Sequence, residues 1–328
     1  MIHIACGLDN NYSPYCVVML YSLLENNKQN DITFHILTNN MSESNRIILS
    51  KMIDDYKKHI IFYNIDETVF NKLPVGGEWS GHINIAAYFR FLLPTILPDI
   101  DKIIYLDSDM IVVSNIAELW NVDVEQYAVA GVRDSENDNI RLYNRLNYDQ
   151  SLGYINSGVL LINLKEWRKD NFLSEAIKRI ASNPKKYCYH DQDFINEFYC
   201  DRKLLLDFKF NLMEFYCGYS KLIMNKKHYR DIEEAIKNPV IVHFCGNIKP
   251  WHNEYSSPIK HVFCKYADNQ PYIANIYKNK RSDKQIIRDK FGNFVYRVLK
   301  RLNIPRELSI DKTIKYRYRA DIYHIDDY

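Results

Sequence analysis

The sequence predicts an α/β fold with a mainly parallel, mixed sheet and flanking helices, and three observations point to it. Short β-rich runs alternate with helix-like segments through the first hundred residues. The run Ile103–Leu106 is continuously apolar, as in a strand covered on both faces. A hydrophobic content of 47% over 328 residues supplies enough side chains for one large core.

In chain order, Ile2–Cys6 reads as the first strand. Ser13 and Pro14 open a helix whose apolar face is Val17, Val18, Leu20, Tyr21 and Leu24. Asp31–Leu37 gives a second strand. Ser42, Glu43 and Asn45 start a helix running to Tyr56, and Ile60–Ile65 is a third strand. Leu73–Gly81, with three glycines and a proline, breaks the alternation and is expected to be a loop. A helix over Asn84–Leu93 leads into the strand Lys102–Leu106. Further strands are expected at Ala128–Val132, Ser157–Ile162, Leu204–Asp207 and Val240–Phe244, with helices over Trp167–Ala181 and Asp191–Tyr199.

From Asn279 the composition turns basic and aromatic, with ten Lys/Arg against two Asp between Lys278 and Arg306. Ile287, Phe291, Phe294, Val295, Val298 and Leu302 recur there at helical spacing. This divides the chain into residues 1–278 and a basic amphipathic appendage, residues 279–328. No 20- to 50-residue repeat is visible. A net charge of +2 gives no polyanion signature, so nucleic acid is not an expected partner. Seven scattered cysteines without a C-x-x-C pair argue against a disulfide framework and a zinc cluster, and point to a reducing cytoplasm. Neither a signal peptide nor a spanning run of eighteen apolar residues is expected.

Asp107, Ser108 and Asp109 stand where the buried strand ends, the place where open α/β sheets bind ligands. Asp oxygens are hard donors suited to Mg²⁺ or Mn²⁺, ions that bind through one or two carboxylates plus substrate phosphates. By itself the triplet also fits a turn cap, or the aspartate nucleophile of a haloacid-dehalogenase-type phosphatase. About a hundred preceding residues of α/β pattern disfavour the phosphatase. The block His243 to His252 decides further. His243 closes an apolar run and can serve as a third metal ligand at the rim of the same sheet, Gly246 lets backbone approach a diphosphate, and Lys249 neutralises it.

Four ordered motifs carry a resemblance: Ile103–Asp109, Asn156–Leu164, Asp191-Gln192-Asp193 and His243–Trp251. Through them the chain resembles the retaining glycosyltransferase family 8, which includes glycogenin and bacterial lipopolysaccharide and lipooligosaccharide hexosyltransferases. The resemblance runs from Ile2 to His252. It implies a GT-A fold for residues 1–278, a UDP-hexose donor (glucose or galactose), Mn²⁺ or Mg²⁺, and a glycan or glycolipid acceptor in surface polysaccharide synthesis. Asp107, Asp109 and His243 resemble the metal ligands, and Gly246 and Lys249 the diphosphate contacts. Ala5, Asp9 and Asn11 fall where the family holds uridine; Arg90 and Ser108 fall with the donor contacts. Asn156, Asp191 and Gln192 fall at the sugar, with Asp134 a further candidate for that pocket. Cys6-Gly7-Leu8-Asp9 departs from the family's usual acidic pair.

A neutral Gln192 amide is a poor nucleophile, which favours same-face attack by the acceptor with Asp191 and Gln192 supporting the anomeric centre. The Gly76–His82 loop and Gly246–Trp251 are expected to close over the donor. The tail, residues 279–328, suits an anionic membrane surface, placing the protein in the cytoplasm or at the inner face of the membrane. The competing readings are the phosphatase and a non-catalytic carbohydrate-binding protein on the same fold.

Overall fold

The computed structural model describes residues 1–75, 85–217, 226–253, 255, 257 and 259–273. The first five elements follow the pattern expected: β1 (Ile2–Leu8), α1 (Ser13–Asn26), β2 (Ile32–Thr38), α2 (Glu43–Asp55) and β3 (His59–Asn64). Pro14 lies in the first turn of α1, where a missing N–H costs nothing, and Val17, Val18, Leu20 and Leu24 are buried. Ser42 caps α2 by accepting a hydrogen bond from the Asn45 N–H.

The expected helix over Asn84–Leu93 takes another form. Ile85–Leu92 is a 3₁₀ segment, followed by the short α3 (Leu93–Ile96). Pro94 has no N–H for the Arg90 carbonyl, and the Arg90 Nε takes the Ala87 carbonyl at 3.0 Å, so an α-helical ladder cannot be completed. Next come β4 (Lys102–Leu106), β5 (Met110–Val112), α4 (Ala117–Trp120), β6 (Val129–Arg133), α5 (Ile140–Leu146) and β7 (Ile155–Asn163). The helix expected over Trp167–Ala181 is two helices, α6 (Leu164–Lys169) and α7 (Phe172–Ser182), because Asn171 turns left-handed at φ 50° between them. The remaining elements are α8 (His190–Phe198), β8 (Lys203–Leu206), β9 (Leu212–Met213), α9 (Tyr229–Lys237), β10 (Ile241–His243) and α10 (Lys260–Ala267).

Seven strands form one sheet in the order β3-β2-β1-β4-β7-β6-β8. Every pairing is parallel except the two made by β7, which runs against β4 and β6. Both faces are covered, and side chains alternate between them. Ile4, Cys6, Ile104, Leu106, Val159 and Leu161 join the core beneath α1 and α2. Ala5, Ile103, Tyr105, Leu160 and Ile162 join the opposite core with Trp167 and Phe172.

The reversed β7 has a local consequence. Its N-terminal residues lie beside the C-terminal end of β4, with Leu106 paired to Val159 and the Asp107 N–H donating to the Gly158 carbonyl at 2.8 Å. Beyond Asp109 the chain enters a second sheet of three short strands, β5-β10-β9. There Met110 is paired with His243, and the Phe244 N–H donates to the Asp109 carbonyl at 2.9 Å. His243 therefore does not close a strand of the main sheet, as the sequence suggested. It reaches Asp109 from the small sheet, because β10 pairs with β5 rather than with β4.

All seven cysteines are free. No helix among the described residues is long and apolar enough to cross a membrane. The Gly76–His82 loop and the basic segment 279–328 lie outside the described residues.

Candidate active site

The end of β4, the start of β7, the start of α8 and the end of β10 open onto one cleft with about 1000 Å³ of empty space, open solvent at its mouth included. Of the residues expected from sequence, Asp9, Arg90, Asp107, Ser108, Asp109, Asn156, Asp191, Gln192, His243 and Lys249 line it together.

Asp107, Asp109 and His243 each offer a ligand atom, all within 4.8 Å of one another. The His243 Nε2 lies 3.2 Å from the Asp109 Oδ1, an oxygen that is buried and accepts no hydrogen bond. Asp107 keeps 31% of its side-chain surface exposed. Two carboxylates and an imidazole with an unsatisfied buried oxygen among them fit a hard divalent cation. Gly158 makes room for the group. A Cβ there would come within 2.4 Å of the His243 Cε1 and 3.0 Å of both the Asp107 Oδ2 and the Asn156 Oδ1.

Arg90 is buried at the cleft. Its guanidinium lies over the Tyr105 ring, 4.1 Å from the centroid, and donates to the Ser157 carbonyl. The fork joins two carboxylates, the Asp107 Oδ1 at 2.8 Å and the Asp191 Oδ2 at 3.2 Å. Lys249, also buried, donates to the Asp109 Oδ2 at 2.6 Å and the Phe244 carbonyl at 2.8 Å.

Burial pushes the Asp107 and Asp191 carboxyls above the ordinary aspartate range, with Arg90 opposing it at both. At Asp109 burial pushes the same way, but Lys249 and His243 outweigh it and hold that carboxyl low. Asp134 adds a fourth carboxylate just behind the cleft, so four acids stand in or beside the site with the two cations Arg90 and Lys249. That excess of negative charge favours a divalent ion.

Gln192 is held at both ends. Its Oε1 accepts the Ser157 N–H at 2.9 Å, and its Nε2 donates to the Asp134 Oδ2 at 3.3 Å. The same Asp134 oxygen accepts from the Asn156 Nδ2 at 2.8 Å. Asp134 lies behind Asn156 and Gln192 and does not itself line the cleft. Asp193, the third residue of its motif, is fully buried. It accepts hydrogen bonds from Arg145 (2.6 and 3.2 Å), the Tyr154 hydroxyl (2.8 Å) and the Tyr189 N–H (2.7 Å). The preceding His190 has φ 49°, in the left-handed region, and its Nδ1 lies 3.0 Å from the Tyr88 hydroxyl.

Besides Asp134, three expected residues are not in the cleft wall. Ala5 is buried in the core of β1, and Asn11 is exposed just beyond Asp9. Gly246 turns its N–H to the Glu214 Oε1 at 3.3 Å, and a Cβ on it would meet that oxygen at 2.8 Å. Glu214 is itself buried. Burial lifts its carboxyl to about 7 against the pull of the Tyr255 hydroxyl and Lys249.

Residues not singled out from sequence also line the cleft: Tyr12, Tyr105, Ser157, Gly158, Tyr189 and Cys245. Ser157 and Gly158 lay inside a recognised motif without a role. Tyr12 follows the Asp9–Asn11 turn, whose Asp9 Oδ1 accepts its N–H at 2.9 Å.

Comparison with known proteins agrees with this arrangement. The family profile described as "Glycosyl transferase family 8" matches residues 3–255. General stress protein A of Bacillus subtilis is 28% identical over 275 residues, 81% of this chain and 93% of that protein. A lipopolysaccharide 1,2-glucosyltransferase of Escherichia coli is 28% identical over 300 residues, 90% of this chain and 86% of its own. Among solved structures, the galactosyltransferase LgtC in complex with donor and acceptor sugar analogs superposes with a TM-score of 0.76 at 25% identity, covering 85% of this chain and 100% of that one. The architecture is thus the GT-A type that the sequence suggested.

Proposed function

The chain belongs to glycosyl transferase family 8, and on that premise we propose that it transfers a hexose, glucose or galactose, from a UDP-sugar to a glycan acceptor with retention of configuration. One observation carries the reading. The three-ligand group Asp107, Asp109 and His243 opens onto the same cleft as Lys249, Asp191 and Gln192. The phosphatase alternative falls with the family assignment. The relatives named for lipopolysaccharide transfer support a lipopolysaccharide or related surface-glycan acceptor.

Asp107, Asp109 and His243 would hold Mn²⁺ or Mg²⁺, which supplies a Lewis acid for the negative charge on departing UDP. Lys249 adds a fixed positive charge beside them, already held in place by Asp109 and the Phe244 carbonyl. We assign Asp9 and Tyr12 to the nucleoside side of the donor, Ser108 to the diphosphate and Asn156 to the sugar hydroxyls; Ala5, Asn11 and Gly246, which lie outside the cleft wall, shape it from behind or beside. Arg90 shapes the donor site through the carboxylates it joins.

The route to retention is read from which groups could attack. Gln192 is neutral, with its amide tied between Ser157 and Asp134, and Asp193 has every approach filled by donors. Same-face attack by the acceptor hydroxyl therefore fits best, with Asp191 and the Gln192 oxygen facing the positive charge that grows at the anomeric carbon. Residues 1–278 would form the catalytic unit and 279–328 an attachment segment for an anionic membrane on the cytoplasmic side.

The test is UDP release from a panel of UDP-hexoses with Mn²⁺, with a chelator, and with lipopolysaccharide core acceptors. Chelator-sensitive turnover of one donor is expected. Absence of turnover with every UDP-hexose, or turnover indifferent to the chelator, would overturn the reading. Vesicle co-sedimentation with and without residues 279–328 tests the attachment.

A further inference from the structure

A chain of buried amides runs from the sugar end of the cleft to the metal group, and its middle member, Asn211, has no role so far. Asn211 is fully buried at the end of the 3₁₀ turn Phe208–Asn211, directly before β9, the strand paired with β10. Its Oδ1 is 3.0 Å from the His243 Nδ1, and its Nδ2 donates to the Asn156 Oδ1 at 2.9 Å.

The directions of these bonds can be deduced, because the chain is anchored on groups that play only one part. The Gly158 N–H can only donate, and it meets the Asn156 Oδ1 at 3.0 Å. The Asp134 carboxylate accepts, and it meets the Asn156 Nδ2 at 2.8 Å. Together they fix which way the Asn156 amide points. With the Asn156 oxygen facing Asn211, a reversed Asn211 would set two amide oxygens 2.9 Å apart. Its NH₂ must therefore face Asn156 and its oxygen must face His243. An amide oxygen only accepts, so the Nδ1 carries the proton. The Nε2 is thereby the nitrogen that faces the space shared with Asp109 and Asp107; with the Asp109 Oδ1 3.2 Å away, any second proton sits there and is the one a cation would displace.

We propose that Asn211 is a positioning residue that sets the His243 tautomer for metal binding, and that Asn156 and Asp134 orient it in turn. One polar chain then orders both ends of the cleft, since Asp134 also fixes the Gln192 amide. The inference rests on the metal reading above only for its affinity arm.

The test uses the full chain in three forms: wild type, Asn211→Leu and Asn211→Asp. Mn²⁺ alone is titrated and its free fraction read by electron paramagnetic resonance. Long-range ¹H–¹⁵N spectra of the metal-free protein, with His243 assigned by a His243→Gln difference, report which ring nitrogen is protonated. Wild type is expected to carry the proton on Nδ1. Asn211→Leu should lose that preference and weaken Mn²⁺ about ten- to a hundredfold, whereas Asn211→Asp, which keeps an acceptor for Nδ1 but sets an oxygen against the Asn156 Oδ1, should keep the Nδ1 proton and recover only part of the affinity.

A wild-type proton on Nε2 with a bare Nδ1 overturns the proposal. So does an Asn211→Leu protein with wild-type nitrogen shifts and wild-type affinity. If Asn211→Leu does not fold, the wild-type and Asn211→Asp spectra still decide. If wild type binds no Mn²⁺, the metal reading fails while the tautomer result stands or falls separately.

Discussion

The two sheets contribute to the cleft by different means. The seven-stranded sheet presents the ends of long buried strands, β4 and β7, whose side chains lock into cores on both faces. The three-stranded sheet is made of segments two or three residues long, yet it holds His243 against Asp109. Both sheets bury their apolar strand residues; the small one differs in that its strands are short and that a few charged and amide contacts hold Asp109, His243 and Lys249 at its edge. One side should tolerate the loss of a polar group as a change in rate. The other should register it as lost stability and lost metal.

The largest effect should come from Asp109→Ala, which strikes the small-sheet side. It removes a proposed metal ligand and leaves Lys249 buried without its partner. Transfer should fall on the order of a thousandfold. Urea unfolding should show a loss of about 3–5 kcal/mol. A stable variant would show that the pair does not hold this side together.

Gln192→Ala, on the large-sheet side, should lower transfer by about 10²- to 10³-fold in single-turnover assays while leaving Mn²⁺ affinity and melting temperature near wild type. A matching drop in metal affinity would mean that the two sides are not separable at this residue. Gly158→Ala lies on the seam. Its Cβ would press on His243, Asp107 and Asn156 at once, so it should cost about 1–3 kcal/mol of stability and on the order of a hundredfold in transfer. An active Gly158→Ala with unchanged Mn²⁺ binding would break the account of the seam.

The smallest effect is on stability and depends on pH. Glu214 titrates at about 7 in the folded chain, above its ordinary value of 4.5, because burial penalises its charge. The folded state therefore holds this proton more tightly than the unfolded state. The stability it lends is complete below pH 4.5 and is lost as pH rises through 7. Glu214→Gln should match wild type near pH 4.5 and become the more stable of the two towards neutrality, by a few kcal/mol at most, roughly the size of such a shift. Melting curves across that window check it, and a gap that narrows with rising pH would contradict the assignment.

The same division explains what could be seen in the sequence. Strands of the large sheet announce themselves because each is covered twice and reads as an apolar run, so β1, β2, β4 and β7 were legible within a few residues. The Asp107–Asp109 triplet was legible because it interrupts such a run. The strands β5 and β9 were not, since two or three residues carry no period. Without them His243 was placed on the wrong sheet. Arg90 was legible only through the resemblance, as a donor contact; its burial depends on the end of β4, with Tyr105 and Asp107, and on Asp191 from far along the chain. Asn211 and Glu214 gave no signal at all, since each matters only through a partner more than thirty residues away.

The reversed strand β7 also acts as a ruler. Its nine residues carry an asparagine near each end: Asn156 faces Asp134 and Asn211, and Asn163 caps α6 by accepting the Glu166 N–H. From Val159 to Ile162, side chains alternate between the two cores. Adding or deleting one residue would exchange every apolar side chain from one core to the other and move one asparagine off its mark. The distance from catalytic rim to helix cap is therefore counted in residues, and changes of specificity have to be made at the ends of this strand, not along its length.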